Sequence, residues 1–367
     1  MRIGIVAPLV EAVPPALYGG TERVVSNLTE QLVSRGHDVT LFASGDSVTS
    51  ARLVACAPKS LRLDPEAPDG VTATLFQMRE VYRRAAEFDI IHNHADWFAF
   101  PFADLVDTPT VTTAHGRLDL PEIAYRYECG KGQPLVSISY DQRRWLPQCH
   151  WVGTVHNGID VDRFWFRERP GDYLVFLGRI SPEKGPERAV EIAGRAGMRL
   201  VVAAKVDAAD REYYETVVGP LFRKSRHVEF IGEVNEDGKD KLLGGAYAYL
   251  FPIDWPEPFG LTMVESMATG TPVIAMRRGS VPEVVEDGVT GFVCDSVDEM
   301  VEAVERAGSI DRRACRERVE RLFSAARMAD GYEAVYRRVL AGTCRTVEPL
   351  QGATVGAARG DGSLVVY

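Results

Sequence analysis

Two glutamates, Glu257 and Glu265, stand eight positions apart on either side of a Pro-Phe-Gly turn in the stretch FPIDWPEPFGLTMVESMATGTPVIAM. Gly260 lets the chain turn tightly into a predicted helix that begins near Leu261. The first N–H groups of that helix, at Leu261 and Thr262, have no intrahelical acceptor and can receive a phosphate. A carboxylate one turn into the helix can accept bonds from a ribose diol, and the one before the turn lies where a sugar would be. The spacing therefore predicts a site for a sugar linked through a diphosphate to a nucleoside.

Two cations, Arg179 and Lys184, follow a predicted strand in the segment LGRISPEKG, residues 177–185. Arginine offers a two-pronged donor and lysine a point charge, so the two could clamp a diphosphate. Taken alone, such a pair is more typical of solvated charges at the start of a surface helix. Beside the two glutamates, we interpret it as part of the same nucleotide-sugar site.

Composition excludes several classes of function. The net charge of −10 over 367 residues argues against nucleic acid as the main partner, because phosphate backbones require a basic surface. The six cysteines are scattered without a close pair, which predicts neither a disulfide framework nor a zinc site and favours a cytoplasmic protein. No stretch approaches the roughly 20 apolar residues of a transmembrane helix. A peripheral membrane contact stays open.

Strand, loop and helix patterns occur in two successive series. The first begins with RIGIVAP, passes through a loop ending in Gly19-Gly20 and a helix that Gly36 ends, and continues with DVTLFAS. The second restarts at GDYLVFLGRI and ends with the strand TPVIAM. This repetition predicts two Rossmann-like α/β domains with a boundary near residues 160–172.

The motifs together resemble a known family, the retaining GT-B glycosyltransferases of the glycogen-synthase-like group often called family 4. The segments that carry the resemblance are GGTERVV (19–25), NGIDVDRF (157–164), GRISPEKG (178–185), EPFGLTMVE (257–265) and GTPVIAMRRGSVPEVVEDGVTGFV (270–293). The resemblance covers roughly residues 1–342 and implies two Rossmann-like domains facing each other across a deep cleft. We assign residues 1–165 to an acceptor domain and 166–326 to a nucleotide-sugar donor domain. A helix at about 327–342 is expected to pack back on the first domain, and residues 345–367 to be loosely ordered.

The resemblance also implies which residues hold the donor diphosphate. Arg179 and Lys184 would bind it together with the backbone amides of Leu261 and Thr262. Gly20 would bring the loop of the first domain against the phosphates when the cleft closes.

The resemblance assigns a second group of residues to the transferred sugar and the ribose. Glu257, Phe259 and Gly260 would contact the transferred hexose, and Glu265 would hold the ribose. His115, in the segment TTAHG, matches the family's histidine near the donor sugar and the reaction centre.

The base pocket is the least constrained part of the predicted donor site. Val234 would border the base and Lys239 would assist there. Backbone atoms make most of this pocket, so side chains say little about the base, and we expect a UDP-sugar rather than a GDP-sugar.

The family retains the anomeric configuration of the transferred sugar. We expect a same-face substitution through an oxocarbenium-like state, in which the departing diphosphate takes the acceptor's proton. Arg179, Lys184 and the helix amides would stabilise its growing charge, so no metal or other cofactor is expected.

The segment DIIHNHADW, residues 89–97, carries a separate set of polar side chains. His92 and His94 share one face of a predicted strand, and Asp96 follows it. Three interpretations stay open: these residues line the acceptor cleft, serve the structure, or bind a metal. We favour the first, so the expected acceptor residues are His92, His94 and Asp96.

Other functions fit the sequence less well. A phosphorylase would need a lysine for pyridoxal phosphate that no motif supplies, and a sugar epimerase lacks the spaced glutamates. A dehydrogenase would need G-x-G-x-x-G after a first strand, which neither VAPLVEAV nor LGRISPEKG provides. A catalytically silent sugar-nucleotide-binding module stays open. The acceptor hydroxyl is not encoded in any readable motif.

Overall fold

A computed structural model describes residues 1–17 and 19–342, so the tail predicted for residues 345–367 lies outside the described residues. The strands are β1 Arg2–Val6, β2 Asp38–Ser44, β3 Arg52–Ala57, β4 Ile90–Asn93, β5 Thr110–Ala114, β6 Leu135–Ser137, β7 Trp151–Thr154, β8 Tyr173–Arg179, β9 Arg199–Lys205, β10 Val228–Gly232, β11 Ala248–Phe251, β12 Val273–Met276 and β13 Gly291–Cys294. The α-helices are α1 Gly20–Ser34, α2 Gly70–Arg83, α3 Phe100–Ala103, α4 Pro121–Cys129, α5 Tyr140–Arg143, α6 Pro186–Arg195, α7 Arg211–Tyr213, α8 Gly219–Lys224, α9 Glu236–Gly244, α10 Leu261–Ala268, α11 Val281–Val284, α12 Val297–Arg306, α13 Arg312–Leu322 and α14 Ala325–Leu340.

The first seven strands form one parallel sheet in the order β3-β2-β1-β4-β5-β6-β7. In β1, RIGIV, every residue except Arg2 is buried. A continuous apolar run of this kind is expected of a parallel strand that is covered on both faces. Strand order reverses between β1 and β4, and at such a point the carboxyl ends of the strands open into a crevice.

The remaining six strands form a second parallel sheet in the order β10-β9-β8-β11-β12-β13. Strands β8 and β11 lie side by side in its centre, so the segments that follow them share one edge of the sheet. These are the segments that contain Arg179, Lys184 and Glu257. The two Rossmann-like units expected from the sequence are therefore present.

The chain passes between the two units at two adjacent places. It leaves the first after β7, and it returns ahead of α14, where Ile159 and Ser324 form a parallel bridge. The Ile159 amide donates to the Phe323 carbonyl at 2.9 Å, and the Ala325 amide donates to the Ile159 carbonyl at 2.8 Å. Helix α14 then packs against α1 and β7 of the first unit.

The buried face of α14 differs slightly from the one that its periodicity predicts. Met328, Tyr332 and Tyr336 are buried in the first core as expected. Leu340, which lies four positions after Tyr336 and by helical periodicity belongs to the same face, is exposed, and Val339 is buried instead. The apolar stripe therefore turns by one position at the last turn of the helix.

Two segments of the first unit that carry no strand or helix motif in the sequence, residues 46–70 and 116–134, contain regular structure. Strand β3 lies within residues 46–70, and none of its residues is fully buried because it is the edge of the sheet. Helix α4 lies within residues 116–134 and buries only Tyr127. Neither segment has the apolar periodicity by which buried elements are recognised.

Among residues 1–17 and 19–342, no helix is both long enough and apolar enough to span a membrane.

Candidate active site

The turn between the two glutamates is fixed by Gly260, which precedes α10 in a left-handed conformation with φ of 77°. A Cβ atom at this position would lie 2.6 Å from Met263 Cε and 3.4 Å from Glu257 Cγ. Glycine is therefore required for both conformation and space. The Thr262 hydroxyl lies 2.8 Å from the Tyr249 hydroxyl, which ties the start of α10 to β11. The opening amides of α10, at Leu261 and Thr262, have no acceptor within the helix.

Lys184 and Glu257, predicted to serve the phosphate and the sugar, contact each other directly. The Lys184 ammonium donates to Glu257 Oε2 at 2.6 Å, and Glu257 is only 8% exposed. The same ammonium lies 4.5 Å from the centre of the Trp255 ring. The pair stands where the diphosphate and the sugar of a donor were expected to meet.

Arg179, at the end of β8, is surrounded by carboxylates. Its guanidinium donates to Glu183 at 2.6 Å and lies 3.5 Å from Asp210 and 3.9 Å from Asp207. These acids hold the arginine at the sheet edge while leaving it about a quarter exposed. A bound diphosphate would compete with them for the same cation.

Glu265 is 3% exposed and pairs with Lys239, whose ammonium lies 2.8 Å from Oε1. Lys239 also contacts Glu236 at 2.8 Å. Burial alone would lower the pKa of Lys239, but the charges of Glu265 and Glu236 outweigh it and the pKa is raised. Glu265 Oε2 is buried and has no hydrogen-bond partner among the described residues. An unmatched acceptor of this kind suits a ribose hydroxyl.

The glycine loop of the first unit reaches the start of α10. A Cβ atom on Gly20 would lie 3.5 Å from Leu261 Cδ1, so the backbone there passes close to the predicted phosphate site. Three residues on, Arg23 reaches across to Glu236 at 3.3 Å. Both units therefore contribute to the site.

Phe259 and Val234 occupy different environments. The Phe259 ring is 2% exposed and lies 5.8 Å, centre to centre, from both His156 and Phe323. Its side chain is core, so a contact with the sugar at this position can come only from the backbone. Val234 is half-buried just before α9, where it packs against the core of the second unit.

Three histidines meet at the carboxyl ends of β4 and β5. His94 Nδ1 lies 2.8 Å from His115 Nε2, and the rings of His92 and His94 are 3.9 Å apart, centre to centre. Burial lowers the pKa of His115 to about 4, and the pKa values of His92 and His94 are also depressed by burial. All three imidazoles are therefore neutral near pH 7.

All three predicted acceptor residues are hydrogen-bonded to other side chains of the protein. His92 is fully buried, and its two nitrogens bond to the Tyr336 hydroxyl at 2.7 Å and to Thr113 Oγ1 at 2.8 Å. It has no atom left for an acceptor and instead connects the first sheet to α14. Asp96 accepts a 2.5 Å bond from the Tyr127 hydroxyl and is held in a positive-φ turn. His94 faces His115 rather than open solvent.

Sequence reasoning missed two contacts between the units. The Trp255 ring has the Lys184 ammonium at 4.5 Å and the Arg117 guanidinium, from the loop after β5, at 5.3 Å. Glu283, in α11, accepts bonds from the amides of Tyr140 and Asp141, both at 2.8 Å. Neither contact between the units, Trp255 with Arg117 or Glu283 with α5, has a sequence signal, because each joins segments more than 100 positions apart.

No group of three or more histidine, cysteine, aspartate or glutamate side chains in the described part of the chain is placed to hold a metal ion.

Comparisons with known proteins agree with this geometry. Residues 18–163 match the family described as Glycosyltransferase Family 4, and residues 162–322 match Glycosyl transferases group 1. The first match ends and the second begins at the junction between the two sheets. The chain belongs to these glycosyltransferases.

Two relatives of this glycosyltransferase come from Mycobacterium tuberculosis. One is a phosphatidyl-myo-inositol mannosyltransferase, 27% identical over 323 residues that cover 80% of this chain and 82% of the relative. The other is a glycogen synthase, 26% identical over 335 residues that cover 77% and 80%.

Solved structures show the same GT-B architecture. The glycosyltransferase superposes on sucrose-phosphate synthase from Thermosynechococcus elongatus with a TM-score of 0.76 at 18% identity, over 93% of this chain and 100% of the other. It superposes on Anabaena HepE in complex with UDP and glucose with a TM-score of 0.71 at 16% identity, over 92% and 99%.

Proposed function

We propose that this glycosyltransferase moves a hexose from a nucleoside-diphosphate sugar, with UDP as the nucleotide, to an acceptor hydroxyl with retention of anomeric configuration. The observation that carries the proposal is the placement of two lysine–glutamate pairs on either side of the start of α10. Lys184 with Glu257 stands before the helix, and Lys239 with Glu265 stands one turn inside it. This placement leaves the opening amides of α10 between the two pairs, where we propose that the diphosphate binds with the sugar at one end and the ribose at the other.

Donor binding in this proposal is an exchange of partners. The diphosphate takes the Lys184 ammonium from Glu257, and it takes the Arg179 guanidinium from Glu183 and its neighbours. Glu257 then has both oxygens available for sugar hydroxyls. Glu265 needs no rearrangement, because its Oε2 has no partner to lose.

The transfer step breaks the bond between the anomeric carbon and the leaving phosphate oxygen. The diphosphate departs with the electron pair, and the acceptor oxygen forms its bond on the same face of the oxocarbenium-like sugar. The acceptor's proton passes to the departing phosphate oxygen. Arg179, Lys184 and the amides of α10 stabilise the charge that develops there, which is the work a divalent cation would otherwise do. We therefore propose that the reaction needs no metal.

The choice of UDP rests on likeness of fold and not on the side chains near Val234. The bound UDP in the HepE structure supports it by likeness of fold. One relative is named as a mannosyltransferase, so GDP-mannose is the donor to test against the UDP-sugars. A cytoplasmic location fits the cysteines at positions 56, 129, 149, 294 and 315, which are free thiols.

The test is a nucleotide-release assay with UDP-glucose, UDP-galactose and GDP-mannose, each with and without an acceptor hydroxyl and each repeated with EDTA. Release of UDP that EDTA does not diminish is expected. GDP release alone would overturn the choice of base, and loss of activity with EDTA would overturn metal independence. Release from no donor would favour a silent nucleotide-binding module.

Lys184→Ala identifies the phosphate clamp. We expect turnover to fall by about 10²–10³-fold, as when one donor to a developing oxyanion is removed. The matched control is Lys224→Ala, an exposed lysine at the end of α8 in the same unit. Circular dichroism and the melting temperature check that both variants fold. Near-normal turnover of a folded Lys184→Ala protein would refute the assignment.

A further inference from the structure

The hydrogen bond between His94 and His115 can run in either direction, with the proton on His94 Nδ1 or on His115 Nε2. His94 Nδ1 and His115 Nε2 lie 2.8 Å apart, and the ring centres are 5.1 Å apart. Each neutral imidazole has one N–H and one bare nitrogen, so one ring donates and the other accepts. The direction of this bond decides whether the proton of His115 is on Nε2, facing His94, or on Nδ1, the nitrogen that faces away from His94.

The second nitrogen of His94 settles the direction of the bond. His94 Nε2 is buried, and no described residue offers it a hydrogen bond. A buried N–H without a partner is rarer in folded proteins than an acceptor that is left unsatisfied. The proton of His94 is therefore on Nδ1, where it is donated to His115 Nε2.

His115 must then carry its own proton on Nδ1. This nitrogen has no hydrogen-bond partner within residues 1–17 and 19–342, and the residue is half-buried rather than fully enclosed. The Gln142 amide donates to the carbonyls of Ala114 and Gly116, on either side of His115, and so fixes the backbone that carries the ring. The ring is held at one end and open at the other.

We propose that His94 is a positioning residue that fixes His115 in the Nδ1–H tautomer, so that His115 acts as a hydrogen-bond donor in the transfer reaction and not as a base. The proposal rests on the proposed function for the identity of the bound group, which is an oxygen of the transferred sugar or of its leaving phosphate. The direction of the His94–His115 bond does not depend on that function.

The surroundings of the pair keep it neutral. The His92 ring lies 3.9 Å from the His94 ring, centre to centre, and α14 contributes the ring of Tyr332 and the hydroxyl of Tyr336. On the loop after His115, the charge of Arg117 is matched by Asp119 at 2.6 Å. Burial lowers the pKa of His115 to about 4, so its tautomer is unchanged across the neutral range. Activity above about pH 5 is expected to show no titration of this group.

Two nearly isosteric variants separate the tautomers. In His94→Asn the amide can donate to His115 Nε2 as Nδ1 does, whereas in His94→Asp the carboxylate can only accept. The aspartate draws the proton of neutral His115 to Nε2 and leaves Nδ1 bare. We expect His94→Asn to stay within about tenfold of the unmodified enzyme and His94→Asp to lose about 10²-fold near pH 8, by analogy with removal of one oxyanion donor. His94→Asp should regain activity as the pH falls, because its carboxylate raises the pKa of His115 and the imidazolium carries protons on both nitrogens.

The direct readout is the ¹⁵N spectrum of histidine-labelled protein, with the His115 signals assigned by their loss in His115→Gln. A protonated Nδ1 on His115 is expected in the unmodified protein and in His94→Asn, and a protonated Nε2 in His94→Asp at high pH. A protonated Nε2 in the unmodified protein would overturn the proposal even if His94→Asp failed to fold. Equal activity of the two variants at every pH would also overturn it. A spectrum as expected from a protein that turns over no donor would leave the tautomer intact and remove the proposed function instead.

Discussion

Single residues in this site are already paired before any donor arrives. Lys184 is bonded to Glu257, Lys239 to Glu265 and Arg179 to Glu183. A buried or half-buried cation without a partner would cost several kcal/mol, and the acids of the site remove that cost. In the proposed reaction, phosphate replaces the acids at Arg179 and Lys184. The types and spacing of these residues could be predicted from the sequence. The pairs could not, because they join positions as far apart as 184 and 257.

Glu22 gives a residue-scale prediction of pH dependence. It is 5% exposed at the start of α1, and burial together with the charge of Glu11 raises its pKa from 4.5 to about 7. The folded protein therefore holds this proton more tightly than the unfolded chain does. The stability this provides is complete below about pH 4.5 and is lost as the pH rises to about 7, a change on the order of 3 kcal/mol.

Glu22→Gln should lack this dependence because glutamine does not titrate. Chemical unfolding at pH 4.5, 6 and 8 measures this pH dependence. As the pH rises, the free energy of unfolding should fall in the unmodified protein relative to that of the variant. Parallel curves for the two proteins would show that Glu22 titrates normally.

At the scale of elements, the turn into α10 brings the site together. Helix α10 has only eight residues, yet its N-terminus meets the Gly20 loop, the glutamate pairs and β11. The Pro-Phe-Gly turn and the helix after it could be predicted, since glycine and the apolar run are local signals. Strand β3 and helix α4 could not, because one lies at a sheet edge and the other buries a single side chain.

Gly260→Ala tests that turn against a matched glycine. Gly260 and Gly288 have nearly the same positive φ, 77° and 73°, but a Cβ at Gly288 would meet nothing within 4 Å. Alanine in this conformation costs roughly 1–2 kcal/mol at either position. We expect a larger loss of stability for Gly260→Ala in thermal melts, because its Cβ also meets Met263. Only Gly260→Ala should lose donor affinity, by about tenfold for each 1.4 kcal/mol of lost phosphate contact. Isothermal titration with UDP checks this, and equal affinities for the two variants would contradict the role given to the α10 amides.

At the scale of the whole molecule, Glu283 fastens one unit to the other. Its carboxylate accepts the first two amides of α5 at 2.8 Å and lies 2.9 Å from His156 Nε2. The two-unit architecture itself could be predicted, because the strand–loop–helix pattern restarts near residue 173. The distance between the units could not, since it depends on side chains such as Glu283 and Arg117 that no local pattern distinguishes.

Glu283→Gln should open the cleft more often. A glutamine can accept one of the two amides but presents its own N–H groups to the other, and hydrogen bonds to a charged group contribute about 1.5–3 kcal/mol. We expect turnover to fall by about tenfold while UDP affinity, which depends on the second unit, is nearly kept. Glu286→Gln is the control, because Glu286 pairs with Arg318 inside the same unit. Steady-state kinetics measures the turnover, and small-angle scattering measures the opening of the cleft. An unchanged kcat together with an unchanged radius of gyration would show that Glu283 does not hold the two units together.

The return of α14 to the first unit sets an order of events during synthesis. The ribosome delivers the chain from the N-terminus, so the first seven strands emerge long before residue 325. Until then the hollow filled by Met328, Tyr332 and Tyr336 has no occupant, and His92 has no hydroxyl for its Nδ1. The unit that is translated first is thus the last to be completed. A released chain that ends at residue 322 should carry a folded second unit beside a first unit that proteases still cut.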